Sequence, residues 1–82
     1  MSVEEVNWLK SGKYRIPILR LLSKKAMLPS EIAVELSINR ASVSRILGDL
    51  RGEGMVKSTK GRTRTITYQA TEKGLGLVEE LG

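Results

Sequence analysis

The sequence predicts an α+β fold, mainly helical, in which a three-helix core carries a β-hairpin and short helices flank both ends. Three observations predict it. Apolar residues recur at helical spacing in three segments between residues 13 and 52. A three-residue break, Ser37-Ile38-Asn39, separates the second segment from the third. After Gly52-Glu53-Gly54 the period changes, and two runs rich in β-branched residues flank a short cationic tip.

Ser2 to Lys10 opens with a capping residue and two acids, Glu4 and Glu5, and spaces Val3, Val6 and Leu9 for a short helix that Ser11-Gly12 ends. From Lys13, the residues Tyr14, Ile18, Leu21 and Leu22 follow helical spacing. Pro17 is harmless only in a first turn, so this helix starts a few residues before it and runs to about Lys24. Pro29-Ser30-Glu31 opens the next helix, with Ile32, Ala33 and Leu36 on its apolar face. Asn39 is a favoured N-cap for the third helix, Arg40 to Gly52, whose apolar stripe is Val43, Ile46, Leu47 and Leu50. Met55–Thr59 and Thr63–Gln69 are the expected hairpin strands, and Lys60-Gly61-Arg62 is the tip. Thr71 caps a last helix with Leu75, Val78 and Leu81 at helical spacing, weakened by Gly74 and Gly76 at about 1 kcal/mol each. The chain is read as one domain, 1–82, with the helix-turn-helix at about 29–52, the hairpin at about 55–69 and the last helix at about 71–81.

With 82 residues, the chain builds one modest core, worth rarely more than about 3 to 5 kcal/mol of net stability, and association with a second copy is a plausible further source of burial. It contains no cysteine and no histidine. Disulfides, thiolate metal sites, the commonest general base and the usual transition-metal ligands are therefore excluded, and neither an enzyme nor a cofactor or metal is expected. No apolar run approaches the roughly 20 residues of a membrane span, and Met1–Lys10 lacks the pattern of a signal peptide, so a soluble cytoplasmic protein without membrane association is expected.

The net charge of +5 is unevenly placed. Residues 1–9 and 71–82 each carry a net of −2, whereas residues 10–70 hold 13 basic and 4 acidic side chains, a net of +9. A basic middle between acidic ends is the pattern of a polyanion-binding centre. Residues 40–64 alone carry Arg40, Arg45, Arg51, Lys57, Lys60, Arg62 and Arg64 against Asp49 and Glu53.

The short Ser37-Ile38-Asn39 turn lets one helix brace the next across a shared core, with Ile38 as an apolar plug and Val43 and Leu47 beneath. The polar face of the third helix is then held outward. Arginine binds guanine bidentately or grips phosphate, and serine contacts either, so Arg40, Ser42 and Ser44 are the first choices for base contacts. Arg45 is shared between base and phosphate, Ala41 leaves room for close approach, and Asn39 stands at the helix entry. The helix is expected in a major groove and the tip, with Lys60, Arg62 and Arg64, on the adjacent backbone or minor groove.

The stretch Leu28-Pro-Ser-Glu-Ile-Ala-Val-Glu-Leu-Ser-Ile-Asn-Arg-Ala-Ser-Val-Ser-Arg-Ile-Leu-Gly-Asp-Leu-Arg-Gly-Glu-Gly-Met-Val56 resembles the helix-turn-helix of winged-helix transcriptional regulators of the MarR and ArsR type. Tyr68-Gln-Ala-Thr-Glu-Lys-Gly74 is similar to the motif that follows the wing in those regulators, and Ser11–Leu22 resembles the first core helix of their archaeal members. The resemblance covers residues 11–78. It implies a winged helix-turn-helix, with Arg40, Ser42, Ser44 and Arg45 on the recognition helix and Lys60, Arg62 and Arg64 in the wing. It also implies a homodimer on a pseudo-palindromic operator, formed through terminal helices. Here that leaves Val3, Val6, Trp8 and Leu9, or Leu75, Leu77, Val78 and Leu81. Trp8 either covers the core from one side or lies in that interface. MarR-type regulators carry longer flanking helices, and metal-sensing ArsR members use Cys and His ligands that this chain lacks.

The expected function is a sequence-specific regulator of transcription, a repressor, bound to double-stranded DNA and associated with the nucleoid when bound. Two alternatives carry the same fold: a sequence-independent architectural DNA-binding protein, and a winged helix used as a protein-interaction module.

Overall fold

A computed structural model describes residues 3–61, 63 and 65–82. The order is α1 (Val3–Lys10), α2 (Arg15–Lys24), α3 (Pro29–Leu36), α4 (Arg40–Gly52), β1 (Val56–Lys60), β2 (Ile66–Ala70) and α5 (Glu72–Leu81). This is the mainly helical α+β architecture that the spacing predicts. None of the described helices is long and apolar enough to cross a membrane.

Local chemistry sets the helix ends. Pro17 is the third residue of α2, where an amide has no partner inside the helix to lose. At the start of α3 the Glu31 carboxylate accepts the Leu28 N–H at 2.8 Å. The helix ends at Ser37, whose backbone is left-handed (φ 56°) and whose N–H reaches the carbonyls of Ala33 and Val34. Asn39 Oδ1 accepts the Ser42 N–H at 2.7 Å and so caps α4. Thr71 caps α5 by accepting the Gly74 N–H at 3.2 Å, while its hydroxyl donates to the Gly54 carbonyl at 2.6 Å.

Strands β1 and β2 pair antiparallel, with Val56 opposite Ala70, Ser58 opposite Tyr68 and Lys60 opposite Ile66. β2 starts later than expected at the tip end, β1 runs one residue further, to Lys60, and Met55 is not a strand residue. It is fully buried; its N–H donates to Leu50 and its carbonyl accepts the Thr71 N–H, each at 3.0 Å. Met27, in a stretch the periodicity leaves as a connector, exchanges two backbone hydrogen bonds with Tyr68 (2.9 and 2.8 Å). That one-residue bridge fastens the hairpin base to the entrance of α3.

The core gathers Ile18, Leu19 and Leu22 from α2, Ile32 and Ala33 from α3, Val43, Leu47 and Leu50 from α4, and Met27, Met55, Val56 and Ala70 from the hairpin side. Ile46, expected on the buried stripe of α4, is half-buried at its edge. The terminal helices close the core rather than stand apart from it. Leu9 is 0% exposed and Leu77 is 1% exposed. Both were expected as dimer-interface candidates, and in the single chain both lie inside the core. Trp8, Val78 and Leu81 are half-buried against the same core.

Two lysine and glycine details lock α5 in place. Lys73 pairs with Glu5 of α1 and donates to the Glu53 carbonyl at 2.7 Å, which joins α1, α5 and the turn after α4. A Cβ at Gly74 would overlap the Met55 carbonyl oxygen and crowd Leu19. Gly74 is therefore required by a close approach of backbone to backbone, and only Gly76 remains as a weak point of the helix.

Candidate nucleic-acid interface

Helix α4 is anchored by Val43, Leu47 and Leu50, all at 1% exposure or less. At about 100° per residue, that stripe leaves Ala41, Arg45, Gly48, Asp49 and Gly52 on the opposite ridge with Ser44 beside it, and all six are exposed. The N-cap hydrogen bond from Asn39 holds the first turn of this ridge, and the half-buried Ile38 pins the turn before it. A polar surface that also has room for close approach results: Ser44, Arg45 and Asp49 stand beside one alanine and two glycines.

The expected base-reading residues do not share one direction. Ser44 and Arg45 lie on or beside the ridge. Arg40 is exposed on the hairpin flank, where it borders a cleft of about 390 Å³ with Leu28, Pro29, Ser30, Thr65, Ile66 and Tyr68. Ser42 is half-buried on the opposite flank, and its N–H is taken by the cap. The Asn39 side chain is exposed, but its oxygen is committed to capping. Lys60 ends β1 and is exposed at the hairpin tip. Arg62 and Arg64 lie outside the described residues. The tip around them is tied by the Gly61 N–H to the Thr65 carbonyl at 3.0 Å.

The side of α4 that carries Arg45, Ile46 and Asp49 faces the turn before α2, across a cleft of about 250 Å³ that Gly12, Lys13, Tyr14 and Arg15 complete. Arg15 is fixed there. Its guanidinium carbon stands 3.9 Å from the centre of the Trp8 ring, and Nη1 donates to the Trp8 carbonyl at 2.6 Å and to Ser11 Oγ at 2.8 Å. Trp8 thus covers the core edge with one face and holds Arg15 with the other.

What the periodicity missed on α4 is the glycine ridge. Adding a Cβ at Gly48 or Gly52 meets nothing within 4 Å, so no contact inside the chain calls for glycine there. The signal was present as the 41, 45, 48, 52 spacing of one helix face, of which only Ala41 was read as room for close approach.

The family model for the HVO_A0261 N-terminal domain matches residues 3–81. The chain belongs to that family. The chain is also 35% identical over 65 residues to the transcriptional regulator AdcR of Streptococcus pneumoniae, an alignment that covers 77% of the chain and 44% of AdcR. Among solved structures, AdcR of Streptococcus pyogenes superposes with a TM-score of 0.81 at 25% identity, covering 85% of this chain and 53% of that one. Wild-type ZitR of Lactococcus lactis in complex with DNA gives a TM-score of 0.73 at 28% identity, over 79% of this chain and 46% of that one. ZitR is described as a zinc-responsive MarR family member. The fold is therefore a winged helix-turn-helix: α3 and α4 are its two helices and β1–β2 its wing. The domain spans about half the length of the relatives it matches.

Proposed function

We propose that this winged-helix domain binds double-stranded DNA sequence-specifically and represses transcription, with α4 in the major groove and the hairpin on the adjacent backbone or minor groove. The single observation that carries the reading is the outward ridge of α4: small residues beside Ser44 and Arg45, held rigidly by three buried aliphatic anchors and an N-cap. Rigid presentation of a polar, small-residue helix face is what reading base edges requires. The similarity to ZitR, solved with DNA, supports the same docking. Base contacts come from Ala41, Ser44 and Arg45, with Arg40, Ser42 and Asn39 at the helix entry. Lys60, Arg62 and Arg64 supply sequence-independent contacts to phosphate.

The regulator acts as a cytoplasmic homodimer on an inverted repeat, and the surfaces offered for pairing on α1 and α5 are the exposed Val3 and Leu75 with the half-buried Val6, Trp8, Val78 and Leu81. The likeness of its first core helix to archaeal members supports a small regulator of that type, read as one domain over residues 1–82. The test is selection of bound duplexes from a random pool, followed by titration of the best sequence and a scrambled control. An enriched inverted repeat favoured by roughly 10³-fold or more supports the reading. Salt-sensitive binding with no enrichment points to an architectural role instead, and no binding at low salt points to a protein-interaction module.

A further inference from the structure

We propose that Lys13, in the turn before α2, grips the phosphate strand on the side of the recognition helix away from the wing, so that the domain holds both backbones of one major groove. The proposal rests on the DNA-binding reading above and adds a contact that the helix and wing do not supply.

An α-helix with its side chains is about 10–12 Å across, and the major groove is about 12 Å wide. A helix seated in that groove therefore has a phosphate strand on each flank. Five residues of helix separate Arg40 from Arg45, so the two guanidiniums leave α4 about 140° apart. Arg40 borders the cleft on the wing side, with Thr65 and Ile66. Arg45 borders the cleft on the α2 side, with Lys13 and Tyr14. Lys13 is exposed, with its ammonium 5.4 Å from the centre of the Tyr14 ring. Among the described residues neither the Lys13 nor the Arg45 side chain has a hydrogen bond or an ion pair. The third cation of that cleft, Arg15, is committed to Trp8 and Ser11. It fixes the turn that carries Lys13 instead of reaching outward itself. Asp49 lies in the same cleft and opposes an anion there, which keeps the flank from becoming a strong sequence-independent anchor.

The contact is tested by measuring affinity between 50 and 200 mM salt on the best selected duplex and on its scrambled control. The proteins are the wild type, Lys13→Ala, Lys13→Arg, Asp49→Asn and, as a control for loss of one charge at the far end of the same helix, Lys24→Ala. Losing one phosphate contact lowers the salt slope by about 0.9, so the ratio of affinities at the two salt concentrations shrinks about 3.5-fold. That loss is expected for Lys13→Ala, equally on both duplexes, and Lys13→Arg restores it. Asp49→Asn is expected to tighten binding to both duplexes. An unchanged slope in Lys13→Ala, or the same loss in Lys24→Ala, overturns the contact while leaving the DNA-binding reading intact. A wild type that binds neither duplex at 50 mM overturns both.

Discussion

Replacing Gly48 with alanine separates what the fold needs from what a partner needs. Glycine in a helix interior costs about 1 kcal/mol relative to alanine, and a Cβ at Gly48 meets no atom within 4 Å. The replacement is therefore expected to stabilise the isolated domain by about 0.8 to 1 kcal/mol, which for a chain of this size raises the melting temperature by roughly 4–8 °C. Gly76→Ala on α5 should gain a similar amount, for the same reason. The two differ in position: Gly48 lies on the outward ridge with Ala41 and Arg45, whereas Gly76 lies on the terminal helix. Only Gly48→Ala is expected to weaken DNA binding, because its methyl group occupies space that the floor of the groove must enter. Thermal and urea unfolding give the stability arm, and titration with the selected duplex gives the binding arm. Failure of Gly48→Ala to stabilise the domain would refute the view that nothing within the chain requires glycine there. Stabilisation with unchanged affinity would show instead that the helix does not sit in the groove as far along as Gly48.

Gly74, also in α5, should behave oppositely. Gly74→Ala forces a Cβ onto the Met55 carbonyl and is expected to cost about 1–3 kcal/mol, read as a lowered urea midpoint. Asn39→Ala removes the α4 cap and should cost about 1 kcal/mol, measured in the same way. Ser37→Gly relieves a left-handed non-glycine backbone and is expected to raise stability by up to about 1 kcal/mol; a loss would mean that the serine side chain contributes to the turn. Leu47→Ala empties a site that is 1% exposed and costs about 2–5 kcal/mol, enough to unfold a domain of this size, seen as lost helical circular dichroism at 25 °C.

Local rules made most of the architecture legible. Pro17 limited the start of α2, Asn39 and Thr71 marked two N-caps, and the change of period after Gly54 located the wing, because each signal acts within a few residues of its effect. Long-range effects were hidden. The requirement for Gly74 comes from Met55, nineteen positions earlier. The Met27–Tyr68 bridge joins segments 41 positions apart, and neither sequence carries a mark of it. Leu9 and Leu77 showed apolar periodicity, but periodicity states only that a face is covered. The covering surface here is the rest of the same chain. On α4, the apolar stripe was read almost correctly, while Ser42, half-buried, lies to the side of the helix, where its position one residue before Val43 puts it.

The same distinction orders the candidate interface. Residues that shape α4 from within the core affect DNA binding through stability, as Leu47 does by its packing, whereas exposed Asn39 acts through its cap and through its place at the helix entry. Residues that face outward make almost no contact within the chain, so their replacement leaves folding nearly unchanged. Ala41, Ser44 and Gly48 lie at the centre of the outward surface, and Arg40 and Lys13 lie toward its two flanks. If the helix reads bases and the flanks hold phosphate, replacements at the centre alter the ratio of affinities between duplexes, and replacements at the flanks alter both affinities together. A centre replacement that lowers both affinities equally would place the ridge against backbone rather than bases, and the domain would then be an architectural binder despite its fold.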